Sequence, residues 1–365
     1  MTRMLSLSLI LLAFANGAGA QQAQPADPIQ AALNRKDFTT AVNLLRPLSD
    51  GGDPQAQALL GQLYAAGQGA KQNFPEALNL WRKAASQNYG PAQYNLGLAY
   101  ATGRGVKRDY TEAAKWIRSA ADQNIPEAQR DIALMYHEGQ GVTRSYGSAM
   151  DYYRKAAQQG VPEAHFALGS MYAGGQGVKQ DYAEAATWYR KAAEVGLPEA
   201  QYNLGAMYAN GQGLPKDTGQ AVTWWTKAAD KGHPDAQMNL GILYLSGNGI
   251  AKDPGQALNY LKKANAQKIP EALQGIRSMA EGGYGPARVE MGLAYESGRG
   301  VPKLEAEAVS WYREAAEQGN AAGQYNLGRM YAAGKGVPQN TVEANAWFEK
   351  AAKQGHSQAK AQLKR

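Results

Sequence analysis

Apolar positions recur along this chain with two periods, four residues within a segment and 36 residues between copies. Numbering one copy from Pro198 as position 1, positions 3, 7 and 11 hold Ala200, Leu204 and Tyr208, and the copy before last in front of it holds Ala128, Ile132 and Tyr136 there. A spacing of four puts these side chains on one stripe of a helix. After a polar stretch a second pattern begins: Ala at position 24 in every copy (Ala77, Ala113, Ala149, Ala185, Ala221, Ala257, Ala308, Ala344), then a pair of large residues at 27 and 28. Between the two patterns lies Gly-x-Gly, whose first glycine falls at Gly67, Gly103, Gly139, Gly175, Gly211, Gly247, Gly298 and Gly334. Every interval is 36 except Gly247 to Gly298, which is 51. Two helices and a glycine turn repeated in this way predict an all-α fold, an α/α solenoid or superhelix of helix–turn–helix repeats.

The polar positions mark where each helix begins and ends. Pro126, Pro162, Pro198 and Pro234 open first helices, where a missing N–H costs no hydrogen bond, and Glu127, Glu163, Glu199 and Asp235 follow, suited to the positive end of the helix dipole. Gly at position 14 suits a left-handed cap, and Asp109, Asp181, Asp217 and Asp253 at position 20 are placed to cap the second helix. A mid-helix Gly recurs at position 8, for example Gly61, Gly205 and Gly292, at a cost of about 1 kcal/mol against Ala, which argues for close approach by a neighbouring helix. All seven tryptophans occupy position 27 or 28, so they read as packing residues.

The register also divides the chain. Residues 1–20 read as a secretory signal peptide: Arg3, an apolar run from Leu5 to Ala15 too short to span a bilayer, and Ala18-Gly19-Ala20 before the expected cleavage point. Residues 21–52 are expected to form a linker and a degenerate capping repeat, 53–269 six repeats, 285–356 two more, and 357–365 a closing helix. In 270–284 a repeat lacks 21 central residues, which predicts a single helix, a change of superhelix direction and a hinge at Gly282, Gly283 and Gly285. The expected location is periplasmic or secreted, with no transmembrane anchor after cleavage.

Composition narrows the functional classes. With no Cys the chain has neither disulfides nor thiolate metal sites. Its net charge of +7 is spread through every copy, as in Arg82-Lys83, Arg154-Lys155 and Arg190-Lys191, and dispersed charge of this kind predicts a solvated face and no nucleic-acid partner. Four His (His137, His165, His233, His356) show no metal or catalytic spacing. Ser357 and Lys360 match S-x-x-K without its companion motifs. Gly-x-Gly here follows no strand and does not predict a nucleotide site. No cofactor, metal or catalytic residue is expected.

The motifs A-x-x-x-L-G-x-x-Y, G-x-G-V-x-x-D and A-x-x-W-Y-x-K-A-A-x-x-G, in that order, make the chain resemble Sel1-like repeat proteins, relatives of the tetratricopeptide arrays. The resemblance implies an α/α superhelix whose first helices line a concave surface used in adaptor and scaffold roles, and in exported bacterial members a role in the envelope or in host contact. A cysteine-rich branch linked to penicillin binding suggests an alternative, a protein handling peptidoglycan or β-lactams, but its cysteines are missing here. On the scaffold reading, specificity falls to positions 2, 6, 9 and 13, which share a stripe and vary between copies. The nominated partner-binding residues are Asn95, Asp131, Glu138, Asn203, Ala206, Asn210, Asn239, Ile242, Glu290 and Asn326, facing a protein or peptide. The third copy stands out, with Glu127, Asp131 and Glu138 on the stripe and Arg130 and His137 beside it.

Overall fold

The computed structural model describes residues 27–363, so the expected signal peptide at 1–20 lies outside the described residues. Two compact units divide the chain, Met1–Ala192 and Ala193–Arg365. Among the described residues there are 20 helices and no strand. A short pair, α1 (Pro28–Asn34) and α2 (Phe38–Asp50), precedes the first full hairpin. The hairpins of the first unit are α3 (Pro54–Ala66) with α4 (Phe74–Ser86), α5 (Gly90–Thr102) with α6 (Tyr110–Ala121), α7 (Pro126–Glu138) with α8 (Tyr146–Gln158), and α9 (Pro162–Gly174) with α10 (Tyr182–Glu194), whose last turn crosses into the second unit. Then come α11 (Pro198–Asn210) with α12 (Thr218–Asp230) and α13 (Pro234–Ser246) with α14 (Pro254–Ala266). A lone helix α15 (Pro270–Glu281) precedes α16 (Gly285–Ser297) with α17 (Glu305–Glu317), α18 (Ala321–Ala333) with α19 (Thr341–Lys353), and the closing α20 (Ser357–Gln362). This is an α/α solenoid of repeated helix pairs.

The helix ends follow their residues. Gly67, Gly103, Gly139, Gly175, Gly211, Gly247, Gly298 and Gly334 all take positive φ, between 64° and 75°, where a side chain would be strained. Asp109 accepts from Thr111 N and Glu112 N, Asp217 from Gln220 N, and Asp253 from Gln256 N, each supplying an acceptor to a helix N-terminus. His233 and His356 cap α13 and α20 through Nδ1 and stack on Tyr202 and Tyr325, with ring centroids 4.6 Å apart in both pairs.

Position 8 explains the packing between the helices of one hairpin. A Cβ on Gly61 would sit 2.7 Å from Trp81 Nε1, and one on Gly169 would sit 2.7 Å from Tyr189 Cδ1. The large residue at position 28 thus lies against bare backbone, and in two hairpins it also donates across it, Trp81 Nε1 to Ala58 O and Trp225 Nε1 to Tyr202 O, both at 3.1 Å. Position 28 is buried throughout, from Trp81 to Phe348, while the aromatics at position 27 are half-buried except Tyr260, which is 8% exposed. Packing therefore divides between the paired positions: 28 belongs to the core. Lys three residues after position 27 covers its ring, as Lys191 does Trp188 at 4.2 Å, Lys227 does Trp224 at 4.0 Å and Lys350 does Trp347 at 3.8 Å.

The second loop glycine joins neighbouring hairpins. A Cβ on Gly105 would meet Phe74 Cβ at 2.7 Å, one on Gly141 would collide with Tyr110 O, and one on Gly177 would meet Tyr146 Cβ at 2.8 Å. Each loop therefore rests on the start of the preceding hairpin's second helix, and in the first unit the loops stack along one edge.

The segment 270–284 is one helix, α15, packed as a layer between its neighbours. Ala272 and Ile276 of α15 hold positions 3 and 7 of a first helix and, because 21 residues are missing, positions 24 and 28 of a second helix as well. Both registers want Ala followed by a large apolar residue four later, so one helix serves both. Accordingly one hydrophobic cluster runs through Leu258 and Leu261 of α14, Ala272, Ile276 and Met279 of α15, and Ala287 and Met291 of α16. The turn after α15 is closed by Tyr284 N to Met279 O, as the ordinary junction after α4 is closed by Tyr89 N to Ala84 O. Gly282, Gly283 and Gly285 thus belong to a regular junction.

Candidate interaction surface

The ten nominated residues do not occupy equivalent surroundings. Glu138 and Asn210 are exposed at the ends of α7 and α11, and Ile242 on α13 is 48% exposed. Asn95, Asn203 and Asn239 are half-buried. Ala206 packs on the cluster around Trp225. Glu290 pairs with Lys262 at 2.5 Å. No hydrogen bond or ion pair among the described residues joins one nominated residue to another.

Two nominations are corrected by depth. Asp131 is 1% exposed and cannot meet a partner. Tyr94 OH donates to its Oδ2 at 2.8 Å, and Arg130 donates to Oδ1 from Nε at 2.8 Å, with Nη2 at 2.7 Å from the same oxygen. Burial pushes the Asp131 carboxyl above its ordinary value against the opposing pull of Arg130 and the Tyr94 hydroxyl, and burial also pushes the Tyr94 hydroxyl up. Asn326 is likewise buried and accepts from Arg329 Nε at 3.2 Å. At position 6, then, Asp131 is committed to α5, Glu290 to Lys262 of α14 and Asn326 to Arg329 of its own helix, so these side chains serve packing within the stack.

Two sets of polar residues escaped the sequence reading. At position 4 a buried Gln donates back to the preceding hairpin: Gln93 to Ala85 O, Gln129 to Ala121 O, Gln201 to Ala193 O, Gln237 to Ala229 O and Gln324 to Ala316 O. Its oxygen accepts from a Gln at position 34, as in Gln123 to Gln93 at 2.7 Å and Gln354 to Gln324 at 2.9 Å. Arg at position 29 meets the Tyr at position 11 of the next first helix: Arg46 to Tyr64, Arg154 to Tyr172, Arg277 to Tyr295 and Arg313 to Tyr331. The Arg of Arg154-Lys155 is thus a rung between hairpins, not free surface charge. Both rungs were visible in principle, as polar residues repeating at the 36-residue period.

The Gln rung fails at three sites, one of them position 4 of α16, where Arg288 donates from Nε to Ala280 O at 3.0 Å. His165 replaces Gln at position 4 and stacks on Trp188 at 5.8 Å; its pKa is lowered by burial and then by Lys191. Lys231 replaces Gln at position 34 and donates to Gly196 O, leaving Gln201 Oε1 buried without a partner.

In the second unit the first helices keep groups at the surface. Arg329 on α18 forks onto Glu296 of α16, with Nη2 3.1 Å from Oε1 and 2.8 Å from Oε2, while Tyr312 OH donates to Oε2 at 2.7 Å. The Glu296 and Arg329 side chains remain 19% and 36% exposed. Neither was nominated, though Arg329 lies at position 9 of the variable stripe and Glu296 departs from its register, since position 12 is Ala in Ala65, Ala101, Ala173, Ala209 and Ala332. Leu293, at position 9 like Ile242, is 38% exposed. Among the described residues no three His, Asp or Glu converge as metal ligands would, and Ser357 and Lys360 are exposed on α20. No helix among the described residues is long and apolar enough to cross a membrane.

Stacked helical hairpins with buried Ala and aromatic positions define the class, an α/α repeat array. The Sel1 repeat model matches residues 54–89, 90–125, 126–161, 162–197, 198–233, 234–268, 285–320 and 321–356, so the chain belongs to the Sel1-repeat family, whose members generally act as scaffolds for protein–protein interaction. It is similar to c5321, a protective antigen of uropathogenic Escherichia coli with an SLR fold, at 33% identity over 89% of this chain and 82% of that one, with a TM-score of 0.53. It is also similar to a Sel1 repeat protein from Oxalobacter formigenes, at 35% identity over 65% of this chain and 94% of that one, with a TM-score of 0.59. No curated protein matches the chain.

Proposed function

We propose that the chain is an exported, non-catalytic scaffold that holds a protein or peptide partner against its first helices. The observation that supports this most is the exposure of Ile242 and Leu293, two large aliphatic side chains at the same register position of α13 and α16. Other large apolar positions of these helices are consumed by packing, and exposed aliphatic groups are the part of a surface that gains most from being covered. Ion pairs at Lys262–Glu290 and Glu296–Arg329 lie on the same helices or their neighbours and supply orientation. Export rests on the leader pattern of residues 1–20.

Photo-crosslinking amino acids placed at Asn210, Ile242 and Leu293, with exposed Thr187 and Thr223 of the second helices as controls, test the surface in the native cell. The first three sites are expected to capture one common partner. Equal capture from Thr187 and Thr223 would sink the assignment. Deleting residues 1–20 is expected to keep the protein inside the cell; unchanged distribution on fractionation would refute export.

A further inference from the structure

The stacked hairpin loops of the first unit carry charge that the helices do not neutralise. In residues 67–73, 103–109, 139–145 and 175–181 there are six basic residues, Lys71, Arg104, Lys107, Arg108, Arg144 and Lys179, all exposed. The two acids in these loops, Asp109 and Asp181, are spent on helix N-termini. Among the described residues no carboxylate forms an ion pair with any of the six. Dispersed along the sequence, these cations come together because each loop rests on the hairpin before it through its second glycine. Packed helices lie about 8–10 Å apart, which sets the scale on which successive loops follow one another along this edge.

Aromatic rings accompany these cations. Position 21 is Phe74, Tyr110, Tyr146 and Tyr182 in the first unit, and Arg108 and Arg144 lie over Tyr110 and Tyr146, both at 5.6 Å. The corresponding residues of the second unit are Thr218, Pro254, Glu305 and Thr341, and Lys303 there is paired with Glu305. Cations interleaved with aromatic faces along a line suit a charged chain that can lie along them. A bilayer is a poorer match, because the apolar loop residues Val106, Val142 and Val178 turn inward onto the helix clusters and are not offered for insertion.

We propose that the loop edge of the first unit binds a linear phosphate polymer. This stands apart from the first-helix partner surface and does not depend on it. The whole chain is titrated with inorganic polyphosphate and, separately, with single-stranded oligothymidylate, at 50 and 200 mM salt. Binding is expected to weaken steeply with salt. K107A/R108A/R144A is expected to lose about 10-fold or more at 50 mM salt and to lower the log–log salt slope by about 2. The charge-matched R82A/K83A/K115A, on second helices, is expected to bind as the parent does. Tyr182→Ser separates the sources: loss of oligothymidylate alone points to bases stacking on the ring, and no loss with either probe points to a polymer without bases. The proposal is overturned by salt-independent or absent binding, by equal losses in the two triple variants, or by equal affinity for polyglutamate or for phosphatidylglycerol vesicles. Thermal melts of both triple variants confirm that charge, and not folding, has changed.

Discussion

α7 and α16 each set a carboxylate between a tyrosine hydroxyl and an arginine, and the two arrangements do opposite things. Around Asp131 the carboxylate side chain is 2% exposed and both of its oxygens are committed within the stack. Around Glu296 the same three kinds of group stay in partial contact with water, 19% exposed at the carboxylate and 36% at Arg329. Depth decides which is structural. A buried pair is costly to break because the survivor is left uncompensated, whereas an exposed pair exchanges readily with water or with another molecule's charges. The Asp131 group therefore fixes one junction between first helices, and the Glu296 group stays open to water.

The largest effect should come from Asp131→Ala, which strands Arg130 and the Tyr94 hydroxyl and is expected to lower stability by about 3 kcal/mol in chemical denaturation. A loss no greater than that of Glu296→Ala would erase the distinction between the two sites. For Glu296→Ala the expected loss is about 1 kcal/mol or less, with the greater change in partner capture through Leu293. A neutral version of the same contrast lies at Gln201, 3% exposed with an unpartnered oxygen. Lys231→Gln should restore the missing rung and add about 1 kcal/mol, while destabilisation would show that Lys231 matters more where it is.

Proton linkage sharpens the comparison further. The folded Asp131 carboxyl titrates above its ordinary 3.8, so its contribution is full below pH 3.8 and is lost as pH rises through the folded pKa. Relative to Asp131→Asn, the parent should therefore lose stability across that window. A flat difference between the two in denaturation midpoints from pH 3 to 7 would contradict the burial argument.

Much of the fold was legible because it rests on local chemistry repeated many times. Gly at position 14, Asp at position 20 and Ala at position 24 each do the same work wherever they occur, and α15 was anticipated as one helix from the 21 missing residues. How α15 packs was visible only in the folded chain: Ala272 and Ile276 satisfy two registers at once, so α14, α15 and α16 share one apolar cluster. The candidate site was less legible. Asp131 was read as a groove residue because its copy departs from the others and Asn326 because an Asn recurs at position 6, yet both are buried and bonded within the stack, Asp131 to Tyr94 and Arg130 and Asn326 to Arg329.

By itself the sequence determined the repeat, the hairpin, its caps and the family, since these depend on contacts within one copy or on the period between copies. Only the tertiary structure decided depth and adjacency: that Asp131 is sealed while Glu296 is open, that Gln93 and Arg154 bridge hairpins, and that the loops of the first unit rest on the hairpins before them. Burial and alignment depend on what the next hairpin places alongside, and no single position along the chain carries that information.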